Sequence, residues 1–302
     1  MEIITGTTQF NLERDTAAAL GKFDGIHIGH RRLLEEILSR RKNGLAACVF
    51  TFDPSPAVFF GRSDGKELTT REEKRLLFKR LGVDILIEFP LNRETAATPP
   101  EQFAEEILGE RMNVRFLAAG SDLSFGAKGA GDAALLHRLG PELGFEVMTV
   151  DKVCLEGQEV SSTLVREQVE KGNMETVKQL LGMPYVVMGK VVRGMHMGHT
   201  LGFPTVNLLP PDNKLLPPNG VYFSRVRIGE RTYRAVSNVG YKPTVTEDKM
   251  MGVESFLYDF QEDIYGEYIE VSLDTFHRPE RRFESLEALK IQIREDIAAG
   301  RN

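Results

Sequence analysis

Two histidines three positions apart with a glycine between them, His27-Ile28-Gly29-His30, stand where a short apolar run gives way to an amphipathic stretch. Gly21, Phe23, Asp24 and Gly25 lead into them through Gly21-Lys22-Phe23-Asp24-Gly25-Ile26. Glycines at such a turn let backbone N–H groups approach a ligand. A helix starting there offers unpaired N–H groups and a partial positive charge to phosphate. Both imidazoles can then face the anion. The competing reading is a solvated helix start or a satisfied core pair, and the flanking glycines weigh against it.

Two further segments fit the same chemistry. In Ser161-Ser162-Thr163-Leu164-Val165-Arg166, Ser162 or Thr163 can cap a helix while Arg166 offers a bidentate charge to a triphosphate. Gly120 to Gly131 is a glycine-rich loop after a strand, readable either as a connector or as a ligand loop at the strand's carboxyl end. Histidines, an arginine, hydroxyls and N–H groups without an obvious base suit adenylyl transfer from ATP. An already ionised phosphate attacking the α-phosphate needs alignment and neutralisation, which positioning and fixed charge supply.

A second constellation lies in the C-terminal half. Thr205 and Asn207 are two apart in Leu201-Gly202-Phe203-Pro204-Thr205-Val206-Asn207, so on a strand both point to one side. A hydroxyl and an amide oxygen on one face can hold Mg²⁺, whose other ligands are usually water and phosphate oxygens. Glu254, in Gly252-Val253-Glu254-Ser255, is a candidate base. Gly189, Gly194, Gly198 and Gly202 punctuate the approach and read equally as turns and bulges.

The elements that must position these residues come in two textures. Up to about residue 150, short apolar runs alternate with amphipathic stretches. Strands are expected at 16–20, 45–52, 83–89, 114–119 and 145–150, and helices at 30–41, 101–112 and 133–139. The run 83–89 alternates Val83, Ile85, Ile87 and Phe89 against Asp84, Leu86 and Glu88, the period of a strand. Thr70 and Glu73 have capping-box spacing ahead of another helix, which Gly82 ends. Strands alternating with helices predict a doubly wound parallel sheet, hence an α/β domain over 1–183. Past Pro184, strands at 185–192, 221–228, 233–238, 254–258 and 268–276 follow one another without helices. That predicts a mainly β, antiparallel and barrel-like domain over 184–302. A terminal helix closes it, capped by Ser285, apolar along Leu286, Leu289, Ile293 and Ile297, and ended by Gly300.

Composition bounds the function classes. The 302 residues carry 38 Lys and Arg against 44 Asp and Glu, a net charge of −6, which argues against a broad nucleic-acid surface. The longest apolar stretches fall far short of the ~20 residues that span a bilayer. The N-terminus shows no secretory pattern. Two cysteines, Cys48 and Cys154, match no zinc spacing and suit a reducing compartment, so a cytoplasmic location is expected.

Taken in order, these segments resemble the bacterial bifunctional riboflavin kinase/FMN adenylyltransferases, the FAD synthetases. The likeness rests on Gly21 to His30, Thr51-Phe52-Asp53-Pro54-Ser55-Pro56, Gly120 to Gly131 and Ser161 to Arg166. It continues through Leu180 to Tyr185, Leu201 to Asn207, Ser237-Asn238-Val239-Gly240, Val253 to Ser255 and Arg278-Pro279-Glu280. The resemblance implies a nucleotidyltransferase domain of the type named for its His-Ile-Gly-His signature, here the FMN adenylyltransferase, and a riboflavin kinase barrel. Its substrates would be riboflavin, FMN and ATP, with Mg²⁺ and without nucleic acid or membrane; nothing specifies the oligomeric state.

The resemblance further implies that His27 and His30 stabilise phosphate charge and that Ser162, Thr163 and Arg166 hold the triphosphate. Asp122, Phe125 and Arg278 would face the flavin, and Gly189 to Gly202 would cradle ATP in the kinase. Thr205 and Asn207 would hold the metal, and Glu254 would activate the ribityl hydroxyl. Ser55, Leu123, His199 and Val206 depart from the usual residues at their positions. The alternatives are a kinase whose adenylyltransferase is impaired, a non-catalytic flavin-binding regulator, and a tRNA-acting enzyme sharing the histidine signature.

Overall fold

The protein is described here by a computed structural model covering residues 1–193, 203–243 and 249–301. Its contacts divide it into two compact units. One is Met1–Gly65 with Arg71–Ser161, the other Lys66–Thr70 with Ser162–Asn302.

The first unit is built on a six-stranded parallel sheet in the order β1-β4-β3-β2-β5-β6. The strands are β1 Glu2–Thr5, β2 Thr16–Leu20, β3 Ala46–Asp53, β4 Ile85–Pro90, β5 Val114–Gly120 and β6 Glu146–Val150. Between them run α1 Ile28–Ser39, α2 Pro56–Phe59, α3 Arg71–Leu81, α4 Pro100–Gln102 and α5 Ala133–Leu143. The β2 sequence Thr-Ala-Ala-Ala-Leu is wholly buried, as a central strand covered on both faces must be. From β2 the chain winds outward through β3 to β4, then returns to β5 on the other side of β2. The strand order therefore reverses between β2 and β5, and their carboxyl ends flank the crevice where open α/β sheets bind ligands.

Three points of local structure go beyond the sequence reading. The strand expected at 83–89 is β4, and it is buried from Ile85 through Phe89, Glu88 included. Glu88 is sustained there by Arg75, whose Nε and Nη2 donate to it at 2.8 and 2.5 Å, and by Arg71 at 2.8 Å. A carboxylate paired with two guanidiniums can thus take a buried place in the alternating pattern. The helix expected at 101–112 is α4 followed by a π-helix, Phe103–Arg111. Its wider winding lets Phe103, Ala104, Ile107, Leu108 and Met112 all enter the core. Strand β1 carried no signal strong enough to be read.

The second unit is a closed six-stranded barrel in the order β10-β13-β12-β11-β14-β9. Its strands are β9 Tyr185–Val192, β10 Thr205–Leu208, β11 Gly220–Ile228, β12 Arg231–Pro243, β13 Lys249–Leu257 and β14 Tyr268–Pro279. All described pairings in it are antiparallel. A two-stranded hairpin, β7 Cys154–Leu155 and β8 Gln158–Glu159, belongs to the first unit. Helices α6 Ser162–Glu170 and α7 Met174–Leu181 belong to the second, with Gly182 ending α7 in a left-handed conformation. Three serines cross the barrel interior: the hydroxyls of Ser224 and Ser237, and of Ser237 and Ser255, lie 2.7 Å apart and buried.

The last helix, α8 Leu286–Gly300, is capped by Ser285, whose side chain accepts from the Ala288 N–H. Its packed face includes Ile297 of the apolar stripe, which lies against Val221, Val236 and Tyr258, but not Leu286. Leu286 is 66% exposed, while Gln292 and Asp296 are buried. Asp296 accepts both arms of Arg278 at 2.8 and 2.6 Å, so an ion pair joins the apolar contact of Ile297 in seating the helix. Gly300 lies inside the helix, not beyond it. A Cβ there would come within 2.7 Å of the Tyr258 hydroxyl, so the glycine serves close approach.

Candidate active sites

In the first unit, β2 ends at Leu20 and the Gly21–His27 loop leads straight into α1 at the sheet's reversal point. The loop is wound tightly: Phe23 and Ile26 take φ of 50° and 44°, and both side chains are fully buried. A β-branched residue in the left-handed region is strained, and such strain gathers at sites the surrounding structure holds in place. His27 is the N-cap of α1, its Nδ1 accepting the His30 N–H at 3.3 Å. The two rings stack with centroids 3.7 Å apart, and Phe23 closes on His30 at 5.0 Å. A Cβ on Gly29 would stand 3.1 Å from the His27 ring, so that position has no room to spare.

Burial leaves both imidazoles neutral near pH 7. Desolvation takes His27 down to about 4, against an opposing pull from Asp122. Desolvation, with the positive fields of His27 and Lys74, holds His30 well below the usual histidine value. The two histidines expected to face phosphate would thus do so as neutral donors. His30 Nδ1 is buried without a hydrogen-bond partner among the described residues. A polar atom left so at a sheet's ligand crevice is prepared for something the protein itself does not supply.

Asp122 follows β5 and lies on the same side as His27, with its carboxylate 3.5 Å from Lys152 Nζ. Phe125, expected to face the flavin, is buried against Phe103, 5.6 Å between centroids. Gly131 packs on its edge, where a Cβ would come within 2.6 Å of the ring. Ser162, Thr163 and Arg166 lie on α6, counted with the second unit, where Arg166 Nη2 donates to the Lys66 carbonyl at 2.9 Å.

In the second unit the strand register decides which side chains meet. On β13, Val253, Ser255 and Leu257 fill the barrel, so Glu254 and Phe256 point outward. Thr205 and Asn207 stand opposite Phe256 and Glu254 and share that outer face. Thr205 Oγ1 donates to Glu254 Oε1 at 2.6 Å. A cleft of about 630 Å³ adjoins β10, walled by Thr205, Asn207, Leu257, Phe260 and Ile264. On the other flank of Glu254, β12 places Asn238.

Gly189 is a packing position, where an added Cβ would meet Leu208 at 3.4 Å. Gly194, Gly198, His199 and Gly202 lie outside the described residues. Arg278, expected to face flavin, has its guanidinium engaged by Asp296. Sequence reasoning gave no role to Asn238 or Glu280, though both lie in quoted motifs; only the strand register brings Asn238 beside Glu254. Among the described residues no cluster of three or more His, Cys, Asp or Glu could hold a metal.

Comparison with known proteins adds two family matches: FAD synthetase over residues 9–164 and Riboflavin kinase over residues 181–302. Curated relatives described as bifunctional riboflavin kinase/FMN adenylyltransferase match along most of their length. The Listeria monocytogenes protein is 35% identical over 92% of this chain and 89% of its own. The Escherichia coli K12 protein is 36% identical over 93% and 90%, and the Bacillus subtilis protein 33% over 92% and 89%. A solved structure described as a macrolide-efflux protein from Streptococcus pneumoniae has a TM-score of 0.87 at 30% identity, covering 99% of this chain and 98% of that one. No helix among the described residues here is long and apolar enough to cross a membrane.

Proposed function

The chain belongs to the bifunctional riboflavin kinase/FMN adenylyltransferase family, and from that premise we propose which of its residues carry each step. It phosphorylates riboflavin to FMN and adenylylates FMN to FAD. We assign the second reaction to residues 1–183 and the first to 184–302, in a cytoplasmic enzyme.

The observation that carries the kinase assignment is the Thr205–Glu254 hydrogen bond with Asn207 on the same outer face. A neutral ribityl hydroxyl needs a proton acceptor within hydrogen-bond reach, and Glu254 is a carboxylate held by Thr205, itself a wall of the cleft. Thr205 and Asn207 supply hard oxygen donors side by side, which suits Mg²⁺ completed by ATP phosphates and water. When bound, that ion would neutralise phosphate charge. Glu254 takes the hydroxyl proton as the oxygen attacks the γ-phosphorus of ATP, and ADP leaves.

For adenylyl transfer, the FMN phosphate attacks the α-phosphorus of ATP and pyrophosphate departs. No base is required. The α1 N-terminus and the neutral N–H donors of His27 and His30 stabilise the charge that builds on the phosphates. Gly21, Asp24, Gly25 and Gly29 give the backbone its close approach, and buried Phe23 braces His30. Ser162, Thr163 and Arg166 are the triphosphate ligands the family pattern implies. Asp122 is placed on the flavin-facing loop.

A chromatographic time course with riboflavin, ATP and Mg²⁺ tests the reading. FMN appears first and FAD follows at its expense. FMN alone would remove the adenylyltransferase assignment, and no turnover would remove both.

A further inference from the structure

Asn238 lies directly opposite Glu254 in the β12–β13 register, while Asn207 lies opposite it on β10. Cross-strand partners on one face hold their Cβ atoms about 5 Å apart. The Asn238 amide has a fixed orientation. Its Nδ2 donates to Glu280 Oε1 at 3.1 Å, and Glu280 Oε2 accepts from Asn219 Nδ2 at 3.4 Å. A carboxylate can only accept, so Glu280 determines which end of the amide faces it. The Asn238 Oδ1 is left turned away from Glu280.

The seat of Glu280 is shaped for it. Gly240 lies two residues beyond Asn238 and so on the same face of β12. A Cβ at Gly240 would stand 2.1 Å from Glu280 Oε1 and 3.0 Å from its Cδ. The register partner of Gly240 is Gly252, two residues from Glu254 on β13. A patch without side chains thus adjoins the Asn238–Glu254 pair, and Glu280 leans over it. On the outer face of the barrel, acceptor oxygens follow one another: the Glu254 carboxylate, the Asn238 amide carbonyl and the Glu280 carboxylate. Donors presented at successive carbons, as in a polyol chain, complement such a row.

We propose that Asn238 binds a secondary hydroxyl of the ribityl chain, next to the hydroxyl Glu254 activates, and that Glu280 is the positioning residue that orients it. This rests on the reading of Glu254 as the kinase base. Asn238 and Glu280 would then set the enzyme's preference for a hydroxylated side chain, a task separate from proton transfer.

The test uses the full chain, riboflavin, and riboflavin analogues each lacking one secondary ribityl hydroxyl. Asn238→Ala and Glu280→Ala raise KM for riboflavin about tenfold with little change in kcat, the mark of a lost binding contact. Glu280 is exposed, so its removal leaves the barrel core untouched. Glu280→Gln, whose carbonyl still accepts from Asn238, recovers most of the loss. Gly240→Ala displaces Glu280 without changing its charge and reproduces the Glu280→Ala defect.

For one analogue, the wild-type preference for riboflavin disappears in Asn238→Ala and Glu280→Ala. Unchanged preference in both variants for every analogue would overturn the proposal. The base reading fails by a different result, full FMN formation by Glu254→Gln. KM and analogue preference report hydroxyl binding whichever group takes the proton.

Discussion

The hydroxyl of Thr205 donates to Oε1 of Glu254 at 2.6 Å, joining the residue expected at the metal to the residue expected to take the proton. The bond runs between β10 and β13, whose register sets Thr205 opposite Phe256 and Asn207 opposite Glu254. One glutamate oxygen is thereby fixed. The carboxylate is oriented before substrate arrives.

Glu254→Gln keeps the shape of the side chain and an oxygen that Thr205 can donate to, but removes the proton acceptor. FMN formation should fall by about 10² to 10⁴, with FAD synthesis from supplied FMN unchanged. Quantifying both flavins by chromatography checks it, and equal losses in the two reactions would refute the division of labour.

Replacing the histidines should do the reverse. His27→Ala removes both a phosphate donor and the N-cap of α1, costing about 1 kcal/mol of stability besides activity. His27→Asn keeps a capping oxygen and separates the two effects. His30→Ala empties a buried position against Phe23. In each, FAD formation from FMN should drop by about 10² to 10³ with FMN formation retained.

Much of this was legible in the amino-acid pattern, for identifiable reasons. The strands β2, β3, β5 and β9 announce themselves as dense apolar runs, because buried strands are apolar on both faces. His27 and Thr205 stand out because their segments are local and distinctive, whereas Glu254 takes its role from the family resemblance. The failures share one cause: contacts distant in sequence. The burial of Glu88 was not legible because its partners Arg71 and Arg75 lie on another element. Asp296 and Gln292 looked like the wet side of α8 because Arg278 is on β14. Asn238 gained a role only when the register set it across from Glu254.

The Arg278–Asp296 pair gives a stability prediction. Asp296 is buried and Arg278 nearly so, with Gln292 Nε2 donating to the same carboxylate at 3.0 Å. Asp296→Ala strands a guanidinium at the base of α8 and should cost about 3 kcal/mol. The double change Arg278→Met with Asp296→Met removes both charges and should recover a good part of that loss. Urea unfolding followed on the second unit's signal measures both; a loss below about 0.5 kcal/mol for Asp296→Ala would mean that the pair does not seat the helix.

The buried histidines predict how acid acts on the first unit. Unfolded, an imidazole takes up its proton near pH 6.5, whereas folded His27 resists until about pH 4, and His30 is displaced in the same direction. Between those values the unfolded chain binds more protons than the folded one, so stability rises with pH. The contribution is complete above about pH 6.5 and lost as pH falls toward 4. For His27 it amounts to about 3 kcal/mol at most. Denaturant midpoints at pH 7, 6, 5 and 4.5 should therefore decline on the acid side, and His27→Asn should flatten the decline while keeping the helix cap. An unchanged acid limb in that variant would show that His27 takes up its proton at the same pH in the folded and the unfolded chain. The imidazole would then be partly charged near neutrality, and burial would no longer support the neutral-donor account of adenylyl transfer.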